Sequence, residues 1–121
     1  MAPCTSQRIL IIDDEPLIRM DVAENLREAG YEAVEADSAD QAIELLGRET
    51  FALILTDIDM PGRRNGLDLA WAVHQRDPAL PVVLMSGRLL PRLEEMPRPL
   101  RLLAKPFQVS TLLHIVDDAL S

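Results

Sequence analysis

Residues 53–62 read Leu53-Ile54-Leu55-Thr56-Asp57-Ile58-Asp59-Met60-Pro61-Gly62. An apolar run of β-favouring residues ends at Asp57, and a second carboxylate, a proline and a glycine follow. Continuous apolarity bounded by turn residues is the pattern of a strand buried on both faces, which implies a parallel sheet covered by helices. The carboxyl end of such a strand opens on the rim where open α/β sheets bind their ligands. Asp57 is therefore a candidate for chemistry. Taken alone it could equally cap a turn, so the other strand ends decide.

Working outward, Arg8-Ile9-Leu10-Ile11-Ile12 is a second aliphatic run, and it stops at Asp13-Asp14-Glu15-Pro16. Asp14 or Glu15 can cap the helix that follows, and Pro16 suits its first turn. Leu17, Met20, Ala23 and Leu26 recur at helical spacing, with Gly30 as the stop. Glu32-Ala33-Val34-Glu35-Ala36 alternates acid and apolar residues, as an edge strand does. Ser38 and Gln41 form a capping-box pattern, and the helix they open ends near Gly47.

Past Asp57, a turn rich in Pro, Gly and Asn leads to a helix with Leu67, Leu69, Ala70, Ala72 and Val73 inward, ended by Pro78 and Pro81. Pro81-Val82-Val83-Leu84-Met85 is a fourth strand, stopping at Ser86-Gly87. The segment 88–99 contains Pro91, Pro97 and Pro99, and an interior proline costs a helix roughly 3 kcal/mol. A short or irregular element is expected there. Leu100-Arg101-Leu102-Leu103-Ala104 is the fifth strand, ending at Lys105-Pro106-Phe107. Ser110 is the expected cap of a last helix with Val109, Leu112, Leu113, Val116 and Leu120 on its apolar face. Alternating strands and helices predict one doubly wound parallel α/β sheet with right-handed crossovers.

The composition narrows the class of function. The chain has 121 residues, 48% hydrophobic but only 3% aromatic, so one domain with an aliphatic core is expected. A formal net charge of −8 argues against direct nucleic-acid binding or docking on anionic lipid. Cys4 is the single cysteine, so no internal disulfide forms, in keeping with a reducing, cytoplasmic setting. Residues 1–6 read as a flexible N-terminus without a signal-peptide pattern, and no apolar run approaches the ~20 residues of a membrane span. No output domain is expected after the last helix.

The strand ends supply Asp13 and Asp14, Asp57, Ser86, and Lys105. A parallel sheet puts them on one rim, and the first and third strands should be neighbours at the switch point. Crowded carboxylates repel unless a hard cation neutralises them, and Mg²⁺ accepts one or two carboxylates while keeping several waters. Lys105 is a mobile point charge suited to phosphate, and the Ser86 hydroxyl can donate to a phosphoryl oxygen. An ionised Asp is a competent nucleophile toward phosphorus. Phosphoryl transfer to Asp57 is the chemistry this set supports.

The stretches Ile11-Ile12-Asp13-Asp14-Glu15-Pro16, Asp57-Ile58-Asp59-Met60-Pro61-Gly62, Asn65-Gly66-Leu67, Met85-Ser86-Gly87 and Lys105-Pro106-Phe107 together resemble the receiver domains of two-component response regulators. The resemblance runs over essentially the whole chain. It implies a CheY-like, flavodoxin-like doubly wound sheet of order 2-1-3-4-5, with residues 1–121 forming a single receiver, stand-alone or excised. It further implies Asp57 as phospho-acceptor, Ser86 as switch hydroxyl and Lys105 as phosphate contact. Mg²⁺ would be held by Asp14, Asp57 and the backbone carbonyl of Asp59, with Asp13 acting through water. The phosphodonor would be a sensor histidine kinase or a phosphotransfer protein, and the receiver would catalyse only its own phosphorylation and dephosphorylation.

The chain departs from the common pattern in three places. Leu102 stands where the family usually has Tyr or Phe, so an aromatic switch coupled to Ser86 is absent. The turn from Pro61 to Gly66 is one residue longer and carries Arg63-Arg64. The segment between Ser86 and Lys105 is short and proline-broken. The last helix, with Lys105-Pro106-Phe107, is thus the expected partner face, and the face of the fifth strand and last helix is a candidate homodimer face. Two alternatives share the pattern. A haloacid-dehalogenase-like phosphatase would use Asp57 and Asp59 as its Asp-x-Asp motif, but Pro61 stands where that motif has Thr or Val. A flavodoxin-like FMN carrier needs a neutral phosphate loop where this chain has Asp13-Asp14-Glu15.

Overall fold

The computed structural model describes residues 7–58, 66–87 and 100–121. The expected irregular element at 88–99, the turn carrying Arg63 and Arg64, and the N-terminus 1–6 lie outside the described residues. The elements are β1 (Arg8–Ile12), α1 (Pro16–Glu28), β2 (Glu32–Ala36), α2 (Ala39–Leu46), β3 (Leu53–Asp57), α3 (Gly66–Arg76), β4 (Val82–Ser86), β5 (Leu100–Ala104) and α4 (Val109–Leu120). The strands form one five-stranded sheet of order β2-β1-β3-β4-β5, every pair parallel. The doubly wound arrangement predicted from the strand pattern is the one observed, with β2 at an edge.

The consecutive apolar residues of each strand are accounted for by two cores. Leu10, Ile12, Ile54 and Leu84 face α2 and α3 through Ala39, Ala42, Leu69, Ala70 and Val73. Ile9, Ile11, Leu53, Leu55, Val83 and Met85 face α1 and α4 through Val22, Ala23, Leu26, Leu112 and Val116. Alternate side chains point to opposite faces, so a strand buried on both must be apolar at every position. Each such Leu or Ile contributes roughly 1.5–3 kcal/mol when fully buried.

The helix termini show where local reading succeeds. Ser38 caps α2, its Oγ accepting from the Gln41 amide at 3.1 Å, and Gln41 Oε1 accepts from the Asp37 amide at 2.7 Å. Gly30 follows α1 at φ +100, the left-handed region that glycine adopts without strain.

Three expectations are corrected. Helical spacing groups Leu17 and Met20 with Ala23 and Leu26, yet they are 84% and 54% exposed. At ~3.6 residues per turn, Ile18, Val22 and Leu26 define the inward face, and Leu17 and Met20 fall on the far side of the helix. Glu15 sits at the N-cap of α1, but its side chain makes no capping bond. At α4 the N-cap is Gln108 rather than Ser110, and Val109, now the first helical residue, is 44% exposed. The helix thus starts before the serine, and its buried stripe begins a turn later at Leu112.

Candidate functional site

Register brings the site together. Ile12 of β1 is level with Thr56 of β3, so Asp13 and Asp57 leave the sheet side by side. Asp57 is in turn level with Met85 of β4, and Ser86 with Ala104 of β5, the residue before Lys105. The four strand ends named from sequence therefore share one rim.

Asp13 is wholly buried and held from several elements. Its amide donates to the Ala36 carbonyl at 3.2 Å, and its Oδ1 accepts from the Glu15 amide at 2.9 Å. The carboxylate thereby turns the chain from β1 into α1, the local use of Asp that competes with capping farther along. Its carbonyl accepts from Arg19 Nη1 at 2.9 Å. Asp57 is 3% exposed and ends the fully buried strand β3. Behind it, α3 opens on Gly66, where a Cβ would collide with the Asp57 carbonyl oxygen and lie 2.8 Å from the Ile58 Cα. Only a glycine lets the helix start so close to the acid.

Lys105 spans the pair. Its Nζ donates to Asp13 Oδ2 at 3.2 Å and lies 3.5 Å from Asp57 Oδ1. Burial pushes the Lys105 ammonium down, but the carboxylates of Asp13 and Asp57 outweigh it and hold the group above its ordinary value. The Lys105 amide donates to the Ser86 carbonyl at 2.8 Å, which ties the loop after β5 to the end of β4. Ser86 itself is 5% exposed.

Asp13, Asp14 and Asp57 each offer a carboxylate oxygen within 4.8 Å of the other two. Ligands of an octahedral Mg²⁺ at about 2.1 Å lie ~3.0 Å apart when adjacent and ~4.2 Å when opposite. The three acids thus fit a small hard cation after slight side-chain adjustment, and among the described residues one ammonium faces three carboxylates, two of them buried. Asp59, expected to give a backbone carbonyl, lies outside the described residues. Sequence reading overlooked Arg19, which reaches the Asp13 carbonyl from the first turns of α1. The only available signal was a long cation six residues after the acid.

Comparison with known proteins agrees with this geometry. Residues 9–117 match the family described as Response regulator receiver domain. The chain is 40% identical over 119 residues to the transcriptional regulatory protein PdtaR of Mycobacterium tuberculosis strain H37Rv, covering 95% of this chain and 57% of that protein. It thus spans little more than half the length of that relative. It is 32% identical to the response regulator receiver protein CpdR of Brucella abortus, over 94% of this chain and 97% of that one. Among solved structures, the chemotaxis protein CheY4 of Vibrio cholerae superposes with a TM-score of 0.88 at 25% identity, covering 95% and 99% of the two chains. A response regulator receiver protein of Sinorhizobium medicae gives 0.89 at 28%, covering 98% and 97%. The phosphatase alternative draws no support from these relatives. With its rim of acids, its sheet order and these matches over nearly its full length, the chain belongs to the response regulator receiver domain family.

Proposed function

We propose that Asp57 is the phospho-acceptor of this receiver, that Asp14 and Asp57 hold Mg²⁺ with the Asp59 carbonyl while Asp13 acts through bound water, and that Lys105 and Ser86 receive the phosphoryl oxygens. The observation that carries this reading is the Lys105 ammonium lying between two buried carboxylates from β1 and β3, 3.2 and 3.5 Å away. The phosphodonor is a phosphohistidine on a sensor kinase or phosphotransfer protein, which goes with a cytoplasmic site of action.

In the transfer, an Asp57 carboxylate oxygen forms a bond to phosphorus as the bond from phosphorus to the donor imidazole nitrogen breaks. The nitrogen keeps the electron pair and takes a proton from water. Burial of Asp57 strips competing water from the nucleophile, and β3 fixes its direction of approach. When bound, Mg²⁺ supplies positive charge to the phosphoryl oxygens. The new group adds roughly −1.5 to −2 charge beside Lys105. Lys105 then exchanges its contacts with Asp13 and Asp57 for a phosphoryl oxygen, and the Ser86 hydroxyl donates to another. Both residues sit at strand ends joined by the Lys105–Ser86 backbone bond, so their movement shifts the loop that enters α4.

The test is labelling by acetyl phosphate with MgCl₂. One phosphoryl group per chain is expected, absent in Asp57→Asn. Undiminished labelling of that variant refutes the acceptor assignment, and continued turnover of a generic phosphate ester would favour a phosphatase.

A further inference from the structure

Arg19 ties the acidic loop to the sheet edge. Its Nη1 donates to the Asp13 carbonyl at 2.9 Å, and its Nε donates to Glu35 Oε1 at 3.0 Å. Both side chains are largely covered, at 17% and 27% exposure. Glu35 lies on β2, level with Ile11 of β1. The residue after it, Ala36, accepts the Asp13 amide. The two peptide groups that flank the Asp13 α-carbon are therefore both anchored to β2 and its partner arginine.

We propose that Arg19 is a positioning residue for the metal-binding acids, with Glu35 holding the guanidinium in place. The inference rests on the Mg²⁺ reading of Asp13, Asp14 and Asp57. The brace determines where the β1–α1 loop presents Asp13 and Asp14. A planar guanidinium can donate along two directions at once, to a carboxylate and to a carbonyl, which an ammonium on a flexible stem cannot do with the same rigidity. Arg27 is the natural control. It also approaches Glu35, at 3.6 Å, and lies on α1, but its guanidinium donates to the Ala33 carbonyl.

The two explanations of an Arg19 effect differ in sign. Arg19 is a cation near a cation site, so if it acted only through its field, removing it would tighten Mg²⁺ binding. A positioning role predicts the opposite. Losses of about tenfold in metal affinity are usual when a group that orients ligands is removed.

The experiment is a MgCl₂ titration of the full chain followed at the Asp13, Asp14 and Asp57 amides by NMR, on the wild type, Arg19→Gln, Arg19→Lys and Arg27→Gln. Expected are a weakening of about tenfold for Arg19→Gln, a smaller weakening for Arg19→Lys, and wild-type or slightly tighter binding for Arg27→Gln. Arg19→Lys keeps the charge, so it decides the matter alone should Arg19→Gln fail to fold. Wild-type or tighter affinity in Arg19→Lys overturns the brace while leaving the Mg²⁺ reading intact. Equal weakening in Arg27→Gln also overturns it, by showing a general effect of α1. A wild type whose three amides ignore MgCl₂ sinks the Mg²⁺ reading itself and the brace with it.

Discussion

Each end of the sheet holds one basic side chain between two carboxylates from different elements. At the amino end, Arg8 of β1 bonds Glu32 of β2 at 2.6 Å, pairs with Glu49 after α2, and lies over the Phe51 ring at 5.0 Å. At the carboxyl end, Lys105 lies between Asp13 and Asp57. The ingredients match but the surroundings do not. The side chains of the Arg8 trio are 29%, 52% and 36% exposed, whereas those of the Lys105 trio are 17%, 0% and 5% exposed. Water screens the first cluster, so it serves as a fastening of modest value. The second keeps the charges of Lys105, Asp13 and Asp57 out of water and adds Asp14, so among the described residues its acids outnumber its base and favour a further positive charge. A buried excess of one sign is what a binding site needs and a fastening does not.

The contrast is sharpest at the central cations. Lys105→Met should cost on the order of 3 kcal/mol in urea melts with chelator, since it takes the ammonium away from two buried acids. MgCl₂ should recover part of that loss by supplying the missing charge. The carboxylates of Asp13 and Asp57 hold the Lys105 ammonium above its ordinary value. A raised folded-state value stabilises below the unfolded value and is lost as pH rises through the folded one. The gap between wild type and Lys105→Met should therefore stay flat across neutral pH and shrink only in strong alkali. A gap that closes near neutrality would break the comparison.

For the wild type, Mg²⁺ at about a hundredfold over its dissociation constant should add ~2.7 kcal/mol, read as a rise in melting temperature. Equal melting with Mg²⁺ and with chelator would reduce the carboxyl end to a second fastening. Gly66→Ala places a methyl group against the Asp57 carbonyl. It should destabilise by roughly 1–3 kcal/mol and slow acetyl phosphate labelling, because the helix start and the acid cannot both keep their places. Normal labelling of a folded Gly66→Ala protein would show that the close approach is not needed. The smallest effect belongs to Arg8→Gln, whose slight shift in melting should vanish at high salt, as exposed pairs are screened. A salt-resistant loss there would mean that the two ends are more alike than their burial indicates.

Both the fold and the rim were legible because they are written in local patterns. A run such as Leu53-Ile54-Leu55 admits few outcomes other than a strand covered on both faces, and the acids at Asp13, Asp14 and Asp57 come directly after such runs. Leu17 and Met20 misled for the same reason. Helical spacing shows which residues share a stripe, but not which stripe meets the sheet, and α1 turned Ile18, Val22 and Leu26 inward. Val109 failed because the start of α4 moved ahead of Ser110.

By itself the sequence determined the strand-helix alternation, the two-faced burial of the strands and the choice of residues at their carboxyl ends, because hydrophobic periodicity and turn chemistry act over a few neighbours. Only the tertiary structure decided that Lys105 reaches back across 92 positions to Asp13, that Arg19 grips the Asp13 carbonyl, and that Arg8 pairs with both Glu32 and Glu49. Those pairings depend on sheet register and on how far each cluster is withdrawn from water, quantities that no short window of residues contains.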